Sequence, residues 1–306
     1  MSDISYQVGI IGAGWVGKAL AIHLTEKQIT TLVTARSKQV LDTLANSGLT
    51  AVNFDADFSV EVKSSVEVDV EPIKHLQNCR TLVICIPPKM RTAEAIENNN
   101  YGKQITNIIN IAQAKGSHVK QLILLSSTAV YGGLTGAVNE QTPLSKSNDK
   151  STILQNVEQQ VLSSKIQSPV VLRLAGLIGY NRFPGRFFAG RTIANPESVV
   201  NLIHRDDVIK VLSKLIEDNL ADQQFISTPA VLNVVAPTHP SRKSFYGKAV
   251  SLISDEPAKF NTEPKSSAEL GKQVDSIMID LLNVEYTHPC LMTYLENSAI
   301  TELNSQ

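Results

Sequence analysis

Apolar residues in the first two-thirds of the chain follow two alternating patterns. Six short runs are apolar or β-branched almost throughout, which is typical of strands buried on both faces of a sheet: Gln7–Ile11, Thr30–Thr34, Thr50–Asn53, Thr81–Ile86, Gln121–Ser126 and Val170–Leu174. Between them lie amphipathic stretches of helical length: Val16–Thr25, Lys38–Ala45, Tyr101–Ala114 and Ile153–Ser163. This alternation predicts an α/β fold with a doubly wound parallel sheet.

Two segments depart from this rhythm. Ser59–Pro72 alternates valine with polar residues, so we expect an exposed strand or hairpin inserted before the fourth core strand. Glycine, proline, arginine and phenylalanine cluster in Tyr180–Pro196, which predicts either loops of a substrate-facing lobe or a simple surface connection. Further on, the pattern predicts a helix, a strand and a second helix at Asp206–Asp218, Val231–Val235 and Ser244–Ser254.

Composition narrows the classes of partner and setting. The 306 residues carry a net charge of −1 with no run of lysine or arginine, so neither nucleic acid nor a membrane surface is expected as a partner. The three cysteines, Cys79, Cys85 and Cys290, have no CxxC spacing and predict a reduced, cytoplasmic setting. No signal peptide and no apolar run of about 20 residues is evident, which predicts a soluble protein. The six histidines lack metal-ligand spacing, so no metal is expected.

A glycine-rich turn follows the first predicted strand. Gly12, Gly14 and Gly17 form a G-x-G-x-x-G motif that directly precedes an apolar helix, the context in which this motif indicates dinucleotide binding. The glycines permit a tight turn, close approach of the pyrophosphate and close helix–strand packing, while the helix opened by Trp15 and Val16 directs its positive end at the phosphates. Trp15 either covers the cofactor or packs against a neighbouring loop.

The end of the second predicted strand indicates which dinucleotide is bound. NAD-specific folds usually place a carboxylate there to bind the ribose 2′-hydroxyl, whereas this chain has Thr34 and Ala35, followed by Arg36 and Ser37. An arginine can bind a 2′-phosphate bidentately, so NADP(H) is predicted over NAD(H), although a solvated helix-start arginine is the simpler alternative. Ile86 and Pro87 end the fourth strand, and we expect them to border the cofactor.

Four later segments, taken with the glycine turn, resemble the extended short-chain dehydrogenase/reductase family, which includes NAD(P)-dependent sugar-nucleotide epimerases and dehydratases. Leu124–Gly132 reads LLSSTAVYG, Arg173–Gly179 reads RLAGLIG, Asn201–Val208 reads NLIHRDDV, and Leu232–Val235 reads LNVV. The resemblance runs in register from Gly9 to about Tyr246. It implies that Ser127 hydrogen-bonds the reacting oxygen of the substrate.

The chain departs from the family pattern at the catalytic helix. The family carries a Y-x-x-x-K pair in which the lysine lowers the tyrosine pKa, but no tyrosine occurs between Tyr131 and Tyr180. Aligning Glu158 with the family's glutamate places Lys150 at the tyrosine position and Leu154 at the lysine position. The resemblance is therefore to atypical members that keep the cofactor site and lack the catalytic pair.

Two functional classes remain open from the sequence. The first is an NADP(H)-dependent oxidoreductase or epimerase/dehydratase-like enzyme acting on a small polar substrate, such as a nucleotide sugar, with Ser127 and Tyr131 as catalytic candidates. Tyr131 has an alternative role in packing the Val-Tyr-Gly turn. The second is a non-catalytic NADP(H)-binding sensor. The protein is expected to be a monomer or homodimer.

Structural roles are also considered for Arg186 with Arg191 and for His204. Arg186 and Arg191 lie in the loop where sugar-nucleotide enzymes of the family hold a diphosphate, and surface solvation is an equal alternative. His204 is predicted to be structural, with Asp206 or Asp207 capping the helix that follows.

The expected domain division follows from these motifs. Residues 1–179, with 200–235 returning to them, are predicted to form a Rossmann-type dinucleotide-binding domain. Residues 180–199 and 236–306 are predicted to form a small substrate-side lobe, ending in a frayed tail after Glu296.

Overall fold

The predicted apolar runs form the central strands of one parallel sheet. The computed structural model describes residues 6–58, 71–221, 230–261, 271–297 and 299–304. Its strands are β1 Val8–Ile11, β2 Thr31–Ala35, β3 Thr50–Asn53, β4 Thr81–Ile84, β5 Gln121–Ser127, β6 Gly136–Val138, β7 Ser168–Leu174, β8 Gly176–Ile178, β9 Thr192–Ile193, β10 Leu202–His204, β11 Val231–Val234, β12 Lys259–Phe260 and β13 Lys272–Val274.

Helices connect these strands. They are α1 Trp15–Glu26, α2 Lys38–Asn46, α3 Glu71–Gln77, α4 Ala93–Glu97, α5 Tyr101–Ala112, α6 Asp149–Leu162, α7 Arg205–Leu220, α8 Arg242–Ser251, α9 Leu291–Asn297 and α10 Ala299–Asn304. No helix among the described residues combines the length and the apolar character needed to cross a membrane.

The main sheet has seven strands in the order β11-β7-β5-β4-β1-β2-β3, and each neighbouring pair is parallel. The chain starts at β1 and builds outward in one direction to β3, then returns to place β4 on the other side of β1. The doubly wound α/β fold is therefore confirmed. Ligands of such sheets bind at the carboxyl ends of the strands, where the winding direction reverses. Here that point lies between β1 and β4.

Both faces of the sheet are buried beneath helices. One core contains Leu20 and Leu24 of α1 with Leu212 of α7, and the other contains Ile105 of α5 with Val161 of α6. This explains why the central strands are apolar throughout instead of alternating. A third, smaller core joins residues from two late parts of the chain, among them Ile178, Phe183, Phe245, Leu291 and Leu295.

Several elements differ from the sequence-based expectations. The strand predicted over Thr81–Ile86 ends at Ile84, so that Cys85 and Ile86 lie beyond the sheet. Most of the expected exposed strand at Ser59–Pro72 lies outside the described residues, and Glu71 and Pro72 belong to α3. The Leu202–His204 segment, for which no strand is predicted, is the strand β10, which pairs with β8 outside the main sheet.

Candidate cofactor and substrate site

The glycine-rich turn has a backbone that requires two of its glycines. Gly12 has a φ of +106°, a left-handed conformation that side-chain-bearing residues rarely adopt. A Cβ at Gly17 would overlap the carbonyl oxygen of Gly12, so Gly17 is what allows α1 to pack against the turn. The Gly12 N–H donates to Thr34 Oγ1 at 3.2 Å. Thr34 therefore binds the turn to the end of β2 through this hydrogen bond, a role that sequence reasoning missed.

Gly14 differs from the other two glycines because it faces open space. A Cβ built on Gly14 would have no neighbour within 4 Å. Gly14 is also the N-cap of α1, with no side-chain capping hydrogen bond and no acidic residue in the first turn. The positive end of α1 is therefore not neutralised by the described residues, which is the arrangement that binds phosphates. The Val16 side chain is buried, so Val16 contributes only its main chain to this helix end.

A cavity of about 300 Å³ opens at the carboxyl ends of β1, β2 and β4. Six of the residues predicted to contact the cofactor line it together: Gly12, Gly14, Arg36, Ser37, Ile86 and Pro87. Cys85 also lines this cavity, and burial raises the pKa of its thiol to about 12. A thiol with that pKa stays protonated at neutral pH, so Cys85 serves as a wall of the cavity and not as a nucleophile.

Arg36 and Ser37 line this cavity, and both have hydrogen-bond donors available to a ligand. Arg36 is 53% exposed, and its Nη1 lies 4.0 Å from Asp55 Oδ2, at the outer limit of an ion pair. An exposed pair of this length contributes little, so the guanidinium remains available to a ligand. Ser37 Oγ accepts from the Val40 N–H at the start of α2, which leaves its own proton available to donate.

Trp15 packs against a neighbouring loop, one of its two predicted roles. Its Nε1 donates to Asn181 Oδ1 at 2.7 Å. The guanidinium carbons of Arg182 and Arg205 lie 4.3 and 4.9 Å from the centroid of its ring. A second cavity, of about 810 Å³, begins at Gly14 and Trp15 and continues between α1 and α7. The sequence singled out neither Arg182 nor Arg205.

Ser127 lies at the carboxyl end of β5, on the same edge of the sheet as the glycine turn. It is half-buried, and its Oγ accepts from the Ala129 N–H at 3.1 Å. Its hydroxyl proton has no acceptor among the residues that the structure describes. Ser127 is thus held in place through its acceptor side and can donate to a bound molecule.

Tyr131 is fully buried, and its hydroxyl is used within the protein. It accepts from Arg173 Nη1 at 2.9 Å and lies 2.9 Å from the Asn139 carbonyl oxygen and 3.0 Å from Asn233 Oδ1. Burial raises the pKa of Tyr131, and its contacts with Arg173 and Asn233 offset only part of that rise. A catalytic tyrosine needs the opposite shift. These contacts support the packing role of Tyr131 over the catalytic one.

A buried ion pair lies behind Tyr131. Arg173 Nη2 is 2.8 Å from Glu158 Oε2 on α6, and Ser126 Oγ donates to Glu158 at 2.6 Å. Burial opposes the charge on Arg173, but its hydrogen bond and charge interaction with Glu158 outweigh this and raise the Arg173 pKa. On the same helix, Lys150 is exposed and Leu154 is buried.

His204 is buried and has a structural role at the start of α7. Its Nδ1 accepts from the Asp206 N–H at 3.2 Å, so His204 itself is the N-cap. The expectation that Asp206 or Asp207 caps this helix is wrong, because both acids lie in its first turn. His204 Nε2 lies 3.1 Å from Glu302 Oε1, a distance that fits an Nε2–H donor.

One group of metal-capable side chains is nevertheless brought together. Ligand atoms of His204, His288 and Glu302 lie within 4.8 Å of one another. A metal at Nε2 of His204 would need a lone pair there while Nδ1 already accepts a backbone hydrogen bond, which would demand an imidazolate. The geometry fits hydrogen bonding better than metal binding.

Arg186 and Arg191 are both exposed, and neither lines the two cavities described above.

Comparisons with known proteins agree with this geometry. Residues 8–113 match the model of the ketopantoate reductase PanE/ApbA family. A solved structure of a functionally unknown conserved protein from Silicibacter pomeroyi has a TM-score of 0.68 at 20% identity, covering 97% of this chain and 98% of that one. UDP-glucuronic acid 4-epimerase from Bacillus cereus, in complex with UDP-glucuronic acid and NAD, has a TM-score of 0.70 at 15% identity, covering 96% and 98%. These two likenesses show the fold alone.

The likeness to one curated protein extends over nearly the whole chain. Protein YeeZ of Escherichia coli is 30% identical over 286 residues, which span 92% of this chain and 96% of YeeZ. Identity at this level over more than nine-tenths of both chains shows a common family. The chain belongs to the family of Protein YeeZ.

Proposed function

We propose that this protein is an NADP(H)-dependent oxidoreductase of the atypical short-chain dehydrogenase/reductase type. One observation carries the proposal: Arg36 and Ser37, in place of a carboxylate, share a cavity with the uncapped helix end at Gly14. The helix end suits the pyrophosphate, and Arg36 suits the 2′-phosphate of NADP(H). The likeness of residues 8–113 to a reductase family supports the same conclusion.

In this proposal Ser127 acts where the substrate oxygen becomes negative. Hydride transfer from the nicotinamide to a carbonyl carbon develops charge on the oxygen, and a positioned hydroxyl stabilises that charge. The Ser127 hydroxyl has no acceptor among the described residues, so it can donate this hydrogen bond. Its own pKa is too high for it to give up the proton unaided, so the proton that completes the reduction comes from solvent.

A second candidate function rests on a different observation. The Tyr131 hydroxyl is enclosed by Arg173 and Asn233, and a buried leucine stands at the position aligned with the family's lysine. A site whose candidate tyrosine is already bonded within the protein suits a sensor that binds NADP(H) without turnover. The Ser127 hydroxyl, which can still donate a hydrogen bond to a substrate, favours the enzyme.

The choice of dinucleotide tests the proposal. Arg36→Ala is expected to weaken NADPH binding about 10-fold or more, because a charge-assisted hydrogen bond contributes about 1.5–3 kcal/mol. NADH affinity should stay nearly unchanged. Titration calorimetry with both dinucleotides measures this, and Lys120→Ala is the control because Lys120 is an exposed cation at the amino end of β5. Equal dissociation constants for NADPH and NADH in the unmodified protein would contradict the assignment.

Turnover separates the two candidate functions. The enzyme should consume NADPH, followed at 340 nm, with at least one member of a panel of carbonyl compounds and nucleotide sugars. Tight NADPH binding with no turnover across the panel would favour the sensor.

A further inference from the structure

A tight turn after β8 presents one arginine to the glycine-rich turn. The Arg182 N–H donates to the Gly179 carbonyl at 2.9 Å, which closes the four-residue turn from 179 to 182. Tyr180, inside it, has a φ of +51°, a left-handed conformation uncommon for a residue with a side chain. Such local strain persists where the surroundings fix it, and it is concentrated at functional sites. Arg182 ends this turn, and its guanidinium stacks on Trp15.

A second arginine comes from the first residue of α7. The Arg205 guanidinium carbon lies 4.0 Å from the ring centroid of Tyr180 and 4.9 Å from that of Trp15. Its Nε is buried and has no hydrogen-bond partner among the described residues.

A third arginine, Arg91, lies in the loop after β4 and is exposed. Partial burial lowers the pKa of Arg182, and the positive charges of Arg91 and Arg205 lower it further, so both of these charges act on Arg182. Three converging cations repel each other, so this arrangement costs free energy unless a counter-charge is supplied.

Two nearby carboxylates are hydrogen-bonded to other groups. Asp206 Oδ2 accepts from the Tyr180 hydroxyl at 2.9 Å, and Asp207 accepts from the main-chain N–H groups of Thr287 and His288. Within the described part of the chain, no carboxylate oxygen lies within 4.0 Å of a guanidinium nitrogen of any of the three arginines.

We infer that Arg91, Arg182 and Arg205 bind an anionic group of the substrate, a phosphate or a carboxylate. The inference rests on the proposed function, since it places a substrate beside the dinucleotide. Guanidinium groups bind both anions through paired N–H donors. Arg36, the residue assigned to the 2′-phosphate, lines the smaller cavity, whereas Arg205 lines the larger one, so the two anion sites are separate.

The chain carries its own probe for this site. Trp15 is the single tryptophan, and it contacts two of the three arginines. We would titrate the protein with inorganic phosphate at constant ionic strength, with and without saturating NADP⁺, and follow tryptophan fluorescence. A saturable change that persists with NADP⁺ bound is expected. The absence of a saturable change in the unmodified protein would overturn the inference.

Two substitutions locate the response. Arg182→Gln and Arg91→Gln are each expected to raise the dissociation constant for phosphate about 10-fold. Arg91→Gln matters because the arginines stacked on Trp15 are Arg182 and Arg205, so the starting fluorescence should be preserved. Arg242→Gln is the matched control: Arg242 also begins a helix and lies over aromatic rings, at 5.6 and 5.9 Å from Phe188 and Tyr246, away from Trp15. Its phosphate affinity should stay within 2-fold of the unmodified protein.

NADPH affinity, measured on the same variants, identifies whose anion the cluster holds. A substrate site predicts that Arg91→Gln and Arg182→Gln leave NADPH affinity within about 3-fold. If both variants lose NADPH and phosphate affinity by the same factor, the cluster serves the cofactor and the inference is wrong. If phosphate binds but NADPH does not bind the unmodified protein, the anion site stands and the proposed function fails.

Discussion

The glycine turn and the Tyr131 region lie at the same edge of one sheet, yet they use their polar groups in opposite ways. At the turn, the N-terminus of α1 is uncapped, and Arg36 has only a distant, exposed partner. Around Tyr131, the hydroxyl, the Arg173 guanidinium and the Glu158 carboxylate are buried and hydrogen-bonded to one another or to neighbours. A site built to bind leaves donors free, whereas a packed core satisfies them. This contrast separates the glycine turn, where we propose that the cofactor binds, from Tyr131, whose hydroxyl is already used within the protein.

The largest effect should come from breaking the satisfied region. Arg173→Met leaves the buried Glu158 carboxylate without its cation, and removing one partner of such a pair costs about 3–5 kcal/mol. We expect the free energy of unfolding, measured in urea, to fall by that amount, while NADPH affinity of the folded variant is kept.

A double variant provides the control for this pair. Arg173→Met with Glu158→Leu removes both charges, so it should recover much of the lost stability. A loss below about 1 kcal/mol in Arg173→Met would show that the buried pair does not hold this region together.

Ser127 and Tyr131 test the contrast through turnover. Once a substrate is found, Ser127→Ala should lower kcat by about 10²–10³, the usual cost of removing a donor to a developing oxyanion. Tyr131→Phe keeps the ring and removes only a buried hydroxyl. It should leave kcat nearly unchanged and cost about 1 kcal/mol of stability. The reverse pattern, with kcat lost only in Tyr131→Phe, would restore Tyr131 as the catalytic group.

A smaller, pH-dependent effect on stability is expected at Glu302, which holds the turn containing Tyr180. Glu302 on α10 accepts from the Tyr180 N–H and the Tyr294 hydroxyl and lies beside His204. Burial raises the Glu302 pKa, but its hydrogen bonds to His204 and Tyr180 outweigh that, so the pKa lies below the ordinary value of 4.5. The ionised form is therefore the one that folding favours.

The sign of the pH dependence follows from that lowered pKa. The ionised Glu302 carboxylate stabilises the fold fully above about pH 4.5, and this contribution is lost as the pH falls through the lower pKa of Glu302 in the folded state. Glu302→Gln should cost about 1 kcal/mol at pH 7. In urea unfolding, the difference from the unmodified protein should shrink below pH 4.5. A difference that is the same at pH 7 and pH 4 would contradict this role.

The sequence predicted the features that depend on neighbouring residues. The central strands and the glycine turn are local patterns, and the structure has the seven parallel strands and gathers Gly12, Gly14, Arg36 and Pro87 around one cavity. The short strands β8 and β10 were missed because three-residue elements carry too little periodicity to be recognised.

The rest of the candidate site depends on contacts between distant parts of the chain. Trp15 meets Asn181 across 166 positions, and Thr34 bonds Gly12 across 22. No local spacing encodes such pairs. The same reason applies to Tyr131, whose enclosure depends on Arg173 and Asn233, both far along the chain. The predicted division into a dinucleotide-binding domain and a substrate-side lobe stays a prediction.

The most direct test of the central claim, that the turn at Gly14 binds NADP(H), is NADPH titration calorimetry on Gly14→Val. A Cβ at Gly14 meets no atom within 4 Å, so the variant should fold with a stability change below about 1 kcal/mol while its side chain blocks the approach of the pyrophosphate. Gly102→Ala, on α5, controls for adding a side chain elsewhere. The account predicts that the dissociation constant for NADPH rises about 100-fold or more in folded Gly14→Val. Unchanged NADPH affinity in that variant would show that the dinucleotide binds elsewhere.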